Sequence, residues 1–256
     1  MATRAQEGGR SRPIAPRSRV QQDRLFYTGM NLYVATVVFA GFARTYYLSH
    51  WFDPPPRTPP MSPLLHIHAF CFTLWIILTV VQPALIAGGS RRLHHRLGWF
   101  AAAVAILVWL LGNIVSAQSI KIGYRAMGDP YAFYTITFFS MQAFGIIVLA
   151  AIVKRREAET HKRLMLLSSA AVLEAAFGRL PLHVIEIAAP VSFYVGSELI
   201  ILAGIFYDRS TRGHVHPVWS WGGGALVASQ VFRVAIMQTG PWLAFAHAVS
   251  AIAGPR

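Results

Sequence analysis

Seven apolar runs separated by short polar segments set the rhythm of this chain, at about 25–48, 64–87, 97–118, 131–153, 163–180, 188–206 and 218–238. Each is near the roughly 20 residues that a helix needs to cross a bilayer. Helix is the economical conformation for such a run, because lipid offers no partner to an unpaired backbone group. An eighth apolar stretch, 242–253, follows Gly240-Pro241 and is too short to span, so a short interfacial or re-entrant helix is expected there. Residues 1–24 are rich in Arg, Pro and Gly and read as a disordered basic tail. The first apolar run begins too late, and lacks the small-residue cleavage pattern, for a signal peptide. The pattern therefore predicts an all-α polytopic transmembrane bundle of about seven spanning helices, with residues 25–256 as one domain.

Composition removes the competing classes. At 256 residues the length alone would suit one or two soluble domains, but 55 % of residues are hydrophobic and only 13 % charged. A mean hydropathy of +0.46 belongs with membrane proteins. The single cysteine, Cys71, excludes an internal disulfide framework and a CxxC motif, and it reads as a small packing residue. A net charge of +13 raises the question of nucleic acid. The basic residues, however, lie between apolar runs and are not interleaved with stacking aromatics, so nucleic acid is not an expected partner.

Their placement is a topology signal instead. The tail and the segments 88–96, 154–163 and 207–217 carry 16 of the 23 Lys and Arg residues. By the positive-inside rule these face the cytoplasm, with the N-terminus inside and, after seven spans, the C-terminus outside. The segment 51–60, WFDPPPRTPP, is too proline-rich for helix and reads as a stiff outer connection. No internal repeat of the inverted-transporter kind is evident.

With this orientation most intramembrane polar residues fall in the outer half: Arg44, His66, His68, Asn113, Gln118, Glu174, Arg179, Glu198 and Arg233. Glu174 lies 12 residues beyond Lys162 and Glu198 lies 8 beyond Pro190. At about 1.5 Å per residue those counts are about 18 Å from the inner face and about 12 Å from the outer one, a common depth in a slab about 30 Å thick. Ionisable groups there are expensive and face a bundle interior or a wet cavity. Two readings stay open: ion pairs that hold helices in register, and a cavity for a ligand or a reaction.

The histidines carry weaker signals. His66 and His68 are two apart and point about 200° away from each other on a helix. A metal site from His68, His183 and Glu186 has no specific spacing behind it, and none is expected. His94, His95 and His161 sit on the cytoplasmic rim as lipid-phosphate or helix-capping contacts, and His247 as a residue satisfied by a helix neighbour. Two haems ligated through rim and outer histidines would lie about 33 Å apart, the length of the 22 residues from His161 to His183. A nucleophile elbow, a zincin motif and a Walker loop are all missing. Gly222-Gly223-Gly224 reads as close helix packing.

Three stretches resemble a widespread group of uncharacterised bacterial multi-pass proteins. They are LHIHAFCFTLWIILTVVQPALIAGGSRRLHHRLGW at 65–99, HKRLMLL at 161–167 with Arg179-Leu180-Pro181, and DRSTRGHVHPVWSWGG at 208–223 continuing through SQVFR to TGPWLAFA. Together they cover about half of the chain. The resemblance implies a multi-pass bundle in the bacterial inner membrane and brings no activity or cofactor with it. It also directs attention to a second polar site on the cytoplasmic rim, with Gln82, His95, Arg96, His161, Arg163 and His216.

The functional expectation is a receptor, carrier or accessory subunit for a small amphipathic or lipid-like ligand. The ligand would enter an outer-half cavity lined by Glu174, Arg179, Glu198 and Arg233, with His68 and His183 beside it. Arginines would meet an acidic head group and Phe and Trp side chains the apolar part. The alternative is a membrane-embedded enzyme with Glu174 or Glu198 as general acid/base. A haem-b electron carrier is the third reading.

Overall fold

The computed structural model describes residues 18–55, 58, 60–122 and 128–252. The expected tail thus lies outside the described residues as far as Arg17. Its last part is helical rather than disordered, because Ser18 starts a capped helix. Ser18 Oγ accepts from Gln21 N at 3.4 Å, and Gln21 Oε1 accepts from Ser18 N at 3.1 Å.

This helix, α1, runs Arg19–Phe42 and continues through a π turn at Ala43–Tyr47. Part of the proline-rich connection, Pro56, Arg57 and Pro59, lies outside the described residues. Helices α2 (Pro63–Ala87) and α4 (Pro130–Val153) both begin with a capping side chain and a proline at the first helical position. Ser62 Oγ accepts from Leu65 N at 3.2 Å, and Asp129 Oδ1 accepts from Tyr131 N at 2.9 Å. Between them α3 spans Arg91–Ile122. Then follow α5 (Ala158–Ala170), α6 (Glu174–Phe177), α7 (His183–Ile187), a 3-10 turn at Val191–Tyr194 and α8 (Val195–Arg212). A π segment at Val218–Gly223 leads into α9 (Gly224–Ile236), and α10 is Gly240–Ile252. The described residues are all helix and connection, with no strand.

Five helical segments are long and apolar enough to cross a membrane: Arg19–Tyr47, Pro63–Ala87, Arg91–Lys121, Pro130–Val153 and Val191–Arg212. The fifth and seventh apolar runs differ from expectation. The fifth is broken between α5 and α6, where Val172 N bonds Ser169 O and Leu173 N bonds Ala170 O, three residues back instead of four. Ser168 Oγ, bonded back to Met165 O at 2.7 Å, competes for the ladder just before the break. In the seventh, three glycines with Gln230 and Arg233 dilute the apolar pattern, and the run is divided into π and α parts.

Consecutive helices α1 to α5 pack as neighbours, and α1 returns against α5 and α6 to close the ring. Helix α8 lies on α5, α9 on α4, and α10 on α3 and α4. The α1–α6 approach is backbone to backbone: a Cβ on Gly41 would stand 2.1 Å from Ala176 O, so only glycine fits. Gly222 and Gly223 meet Leu167 and Ile201, the close packing expected of the glycine run. The short α10 docks on the bundle: Trp242 is buried, its Nε1 donates to Tyr131 O at 3.0 Å, and His247 stacks on Tyr131. The outer surface is apolar, with Ile146, Leu149, Val153, Leu202 and Phe206 all exposed. An apolar exterior on this scale suits contact with lipid.

Candidate functional site

Two polar groups lie inside the bundle, one centred on Arg233 and one on Arg163. Arg233 is 0 % exposed on α9 and faces Glu174, the first residue of α6, which is 4 % exposed. Its Nη1 reaches Glu174 Oε1 at 3.1 Å and Oε2 at 3.0 Å. The same nitrogen donates to Ser140 Oγ of α4 at 2.8 Å, and Nε donates to Ser229 Oγ at 3.3 Å. Ser140 is held for this role by donating its own proton to Ile136 O at 2.7 Å. The break before α6 turns Glu174 toward α9 at this level.

The second amino group, Nη2 of Arg233, is buried with no hydrogen-bond partner. Tyr194 Oη, Gln230 Nε2 and Glu198 Oε1 likewise lack a partner at hydrogen-bond geometry, although Tyr194 lies within reach of the Arg233 guanidinium and Glu198 within reach of Gln230. Tyr194 carries its ring 5.9 Å from the Arg233 guanidinium carbon. Gln230 lies one turn before Arg233 on α9, and Glu198, one turn after Tyr194, is close enough to Gln230 to interact with it. Three donors and one carboxylate oxygen thus surround the Glu174–Arg233 pair with capacity unused. Buried polar atoms in this condition are uncommon and call for a specific account.

The described contacts of the remaining outer-half candidates lie elsewhere. Arg179 Nη1 donates to Ala175 O, and its guanidinium lies 4.8 Å over the Phe42 ring of α1. His68 of α2 is in electrostatic reach of Arg179 and has a buried Nδ1 without a partner. His183 is exposed at the start of α7, and the Glu186 side chain lies outside the described residues. Among the described residues no cluster of three or more His, Cys, Asp or Glu suits a metal ion.

On the other side of the bundle Arg163 and Asp208, both 0 % exposed, form a two-pronged pair between α5 and α8. Nε donates to Oδ2 at 2.9 Å and Nη2 to Oδ1 at 2.5 Å. Nη1 completes the guanidinium on Glu159, at 2.7 Å to its backbone oxygen and 2.8 Å to Oε2. Asp23 of α1 accepts from Lys162, Arg212 and Tyr207, at 2.8, 2.8 and 2.5 Å. Three cations meet three carboxylates, and the network ties α1, α5 and α8 together.

His216 extends the network: its N–H donates to Asp208 Oδ2 at 3.3 Å, and its Nδ1 accepts from Val218 N at 3.2 Å. Burial, with Arg163 nearby, pushes its pKa below the usual histidine value, consistent with a lone pair on Nδ1. For Glu159, burial works against ionisation, but the bonds to Lys162 and Arg163 prevail and hold its carboxyl at about 2.

The other rim candidates form a separate patch. His161 Nδ1 lies 2.8 Å from Ala151 O, so that nitrogen carries the proton. His94 and His95 stack edge to face at 5.4 Å, Arg96 is exposed, and both side-chain polar atoms of Gln82 are buried without partners.

Sequence reasoning missed Asp23, Tyr207, Asp208 and Arg212 at the rim and Tyr194, Ser140 and Gln230 in the outer group. One signal for the two aspartates was available: the chain has only 10 acids against 23 Lys and Arg, so each acid flanking an apolar run is a candidate partner. Compared with known proteins, the chain matches no family model, no curated protein and no solved structure.

Proposed function

We propose that this chain is a seven-span protein of a bacterial inner membrane, with its N-terminus in the cytoplasm, that binds a small amphipathic ligand in the outer half of the bundle. Two further traverses join the five long segments in this reading. The fifth apolar run, 163–180, would reach about 27 Å and the seventh, 218–238, about 31 Å at helical rise. The distribution of Lys and Arg supports the orientation.

The observation that carries the binding site is the set of unused donors around Arg233: its own Nη2, Tyr194 Oη and Gln230 Nε2. Glu174 already offsets the charge of Arg233, so a second anion would leave uncompensated charge in an apolar interior. The head group that suits the site is therefore uncharged and rich in acceptors, such as an ester or ketone, and not the acidic group that isolated arginines would favour. The apolar part would lie toward Phe133, Ile136, Ile185 and Phe193, which pack with Tyr194.

Native mass spectrometry of the chain purified in mild detergent tests this reading. The expected result is an uncharged lipid-like adduct on the wild type, reduced about tenfold in Tyr194→Phe, the effect of about 1.4 kcal/mol. A wild type that stays bare after incubation with neutral lipids, or a Tyr194→Phe adduct of equal abundance, overturns it.

One observation favours the enzyme reading as the second choice. Glu198 has no arginine on it and its polar neighbour is the neutral Gln230 amide, so it is the carboxylate suited to move a proton, whereas Glu174 is held by Arg233. Turnover of the bound molecule by wild type and not by Glu198→Gln would select that reading.

A further inference from the structure

The half of the basic rim outside the ion-pair network has the opposite character. Gln82, near the end of α2, has both Oε1 and Nε2 buried and without partners, and His94 Nδ1 is buried in the same condition. The short α2–α3 turn brings the His94 ring to the Gln82 backbone, and the Gln82 amide packs at Gly98, where a Cβ would stand 3.9 Å from Nε2. His94 precedes Gly98 by one turn on α3, and Arg91 precedes His94 by another, so the three share a face. His161 closes the group from α5, within electrostatic reach of His94.

Around this buried amide the surface is strongly basic. Arg91, Arg92 and Arg96 of α3 and Arg156 beyond α4 are exposed and form no ion pair with a described residue. Arg155 lies 5.6 Å over the Trp99 ring, and Trp99 is 67 % exposed. Glu157, which follows Arg155 and Arg156, is taken by Lys154 at 2.8 Å. Below the basic rim the surface continues into exposed Leu149 and Val153 of α4. An anion with a long apolar tail matches this sequence of surfaces, and the rim lies at the level of lipid head groups in the orientation above.

We propose that the Gln82–His94 site at the basic rim binds the head group of an anionic phospholipid whose phosphodiester is followed by a hydroxyl, as in phosphatidylglycerol. The chemistry of the unused atoms sets the class. Phosphate oxygens accept from Gln82 Nε2 and from the arginines, with the His94 ring beside them. A hydroxyl beyond the phosphate supplies the donor that Gln82 Oε1 lacks, which a choline head group cannot do. The acyl chains lie along Trp99, Leu149 and Val153. This inference rests on the membrane orientation proposed above and is independent of the ligand at Arg233.

The test uses the full chain in nanodiscs of phosphatidylcholine alone and of phosphatidylcholine with phosphatidylglycerol, read by thermal melting and by native mass spectrometry of the released protein. Wild type is expected to melt higher in the mixed discs and to retain phosphatidylglycerol. Gln82→Leu is expected to lose that increment and to bind the lipid about tenfold more weakly. In phosphatidylcholine alone it should melt at or above wild type, because leucine removes two unsatisfied atoms. A lower melting temperature of Gln82→Leu in those discs would overturn the proposal, since the amide would then have a partner. Equal retention of both lipids by wild type, or equal phosphatidylglycerol binding by the variant, overturns it as well. Displacement of the lipid by inorganic phosphate alone would assign the site to a soluble anion instead. Tyr194→Phe should leave the phosphatidylglycerol signal intact; loss there with retention in Gln82→Leu would move the lipid to the outer group.

Discussion

Arg163 and Arg233 are both fully buried and both meet a carboxylate, yet the two sites differ in completeness. Arg163 uses all three nitrogens, two of them side by side on Asp208 and the third on Glu159. Arg233 places a single nitrogen on both oxygens of Glu174 and leaves Nη2 without a partner. Tyr194, Gln230 and Glu198 beside it are incomplete too. A saturated, two-pronged pair is the geometry that repays desolvation best, and it leaves nothing for a ligand to bind. The rim network is therefore a clasp holding three helices, and the outer group is a pair with capacity to spare. Burial and charge type are the same in both, and the unused donors differ in number: Tyr27 Oη beside the rim network, against Arg233 Nη2, Tyr194 Oη and Gln230 Nε2 in the outer group.

The sharpest break of the comparison is at the clasp. Asp208→Asn should cost about 3–5 kcal/mol, because it removes the two-pronged carboxylate from a fully buried guanidinium and leaves it the half-exposed Glu159 as its charged partner. In a chain of this size that is a fall of roughly 10 °C in detergent melts. Glu174→Gln should cost about 3 kcal/mol, the low end for a broken buried pair, since Ser140 and the new amide oxygen still accept from Arg233. The double replacements separate the sites further. Glu174→Leu with Arg233→Met should regain most of the loss, as buried pairs replaced by apolar residues often do. Asp208→Leu with Arg163→Met should recover much less, because Glu159, Arg212 and the His216 N–H also lose partners. Equal recovery of the two doubles would erase the distinction. Tyr194→Phe comes next in size: it removes an unsatisfied hydroxyl and should leave stability unchanged or raise it by up to about 1 kcal/mol. A loss of that size in urea or thermal unfolding would mean that the hydroxyl is bonded and the outer group is closed.

The helices were legible because hydrophobic runs of membrane length write themselves into composition. Two of the five long segments match the apolar runs within one residue at each end, the other three run about six residues beyond them at one end, and Ser62-Pro63 and Asp129-Pro130 mark their own starts. The break at 171–173 was hidden, since SSAAVLEAAF has no proline or glycine to announce it and the change of hydrogen-bond spacing depends on the packing of α6 against α1. Depth counting brought Glu174, Glu198 and Arg233 into view as a group. It had no means of separating Arg179, whose described partners include the Phe42 ring of α1, His68 of α2 and a carbonyl on its own turn. Asp23 and Asp208 stayed out of view for a related reason: they sit at helix ends, where a charged residue ordinarily faces water. Only the convergence of α1, α5 and α8 buries them.

The smallest expected effect concerns acid, and it tests whether the clasp behaves as a set of ion pairs. The Glu159 carboxyl is held at about 2 against an ordinary 4.5. A depressed acid contributes stability above its unfolded pKa and loses it as pH falls toward the folded one. The wild type should therefore lose melting temperature faster than Glu159→Gln between pH 4.5 and about 2, and run parallel to it above pH 5. Its side chain is 54 % exposed, so screening keeps the difference modest and added salt should shrink it. His216 acts in the same direction over a higher range. Kept neutral in the fold, it takes up a proton more readily when unfolded, so its share of the loss begins near its ordinary 6.5. His216→Gln should flatten only the upper part of the pH curve and Glu159→Gln only the lower part. If both variants track wild type throughout, the rim is held by packing and not by charge, and its contrast with the outer group has to be drawn on other grounds.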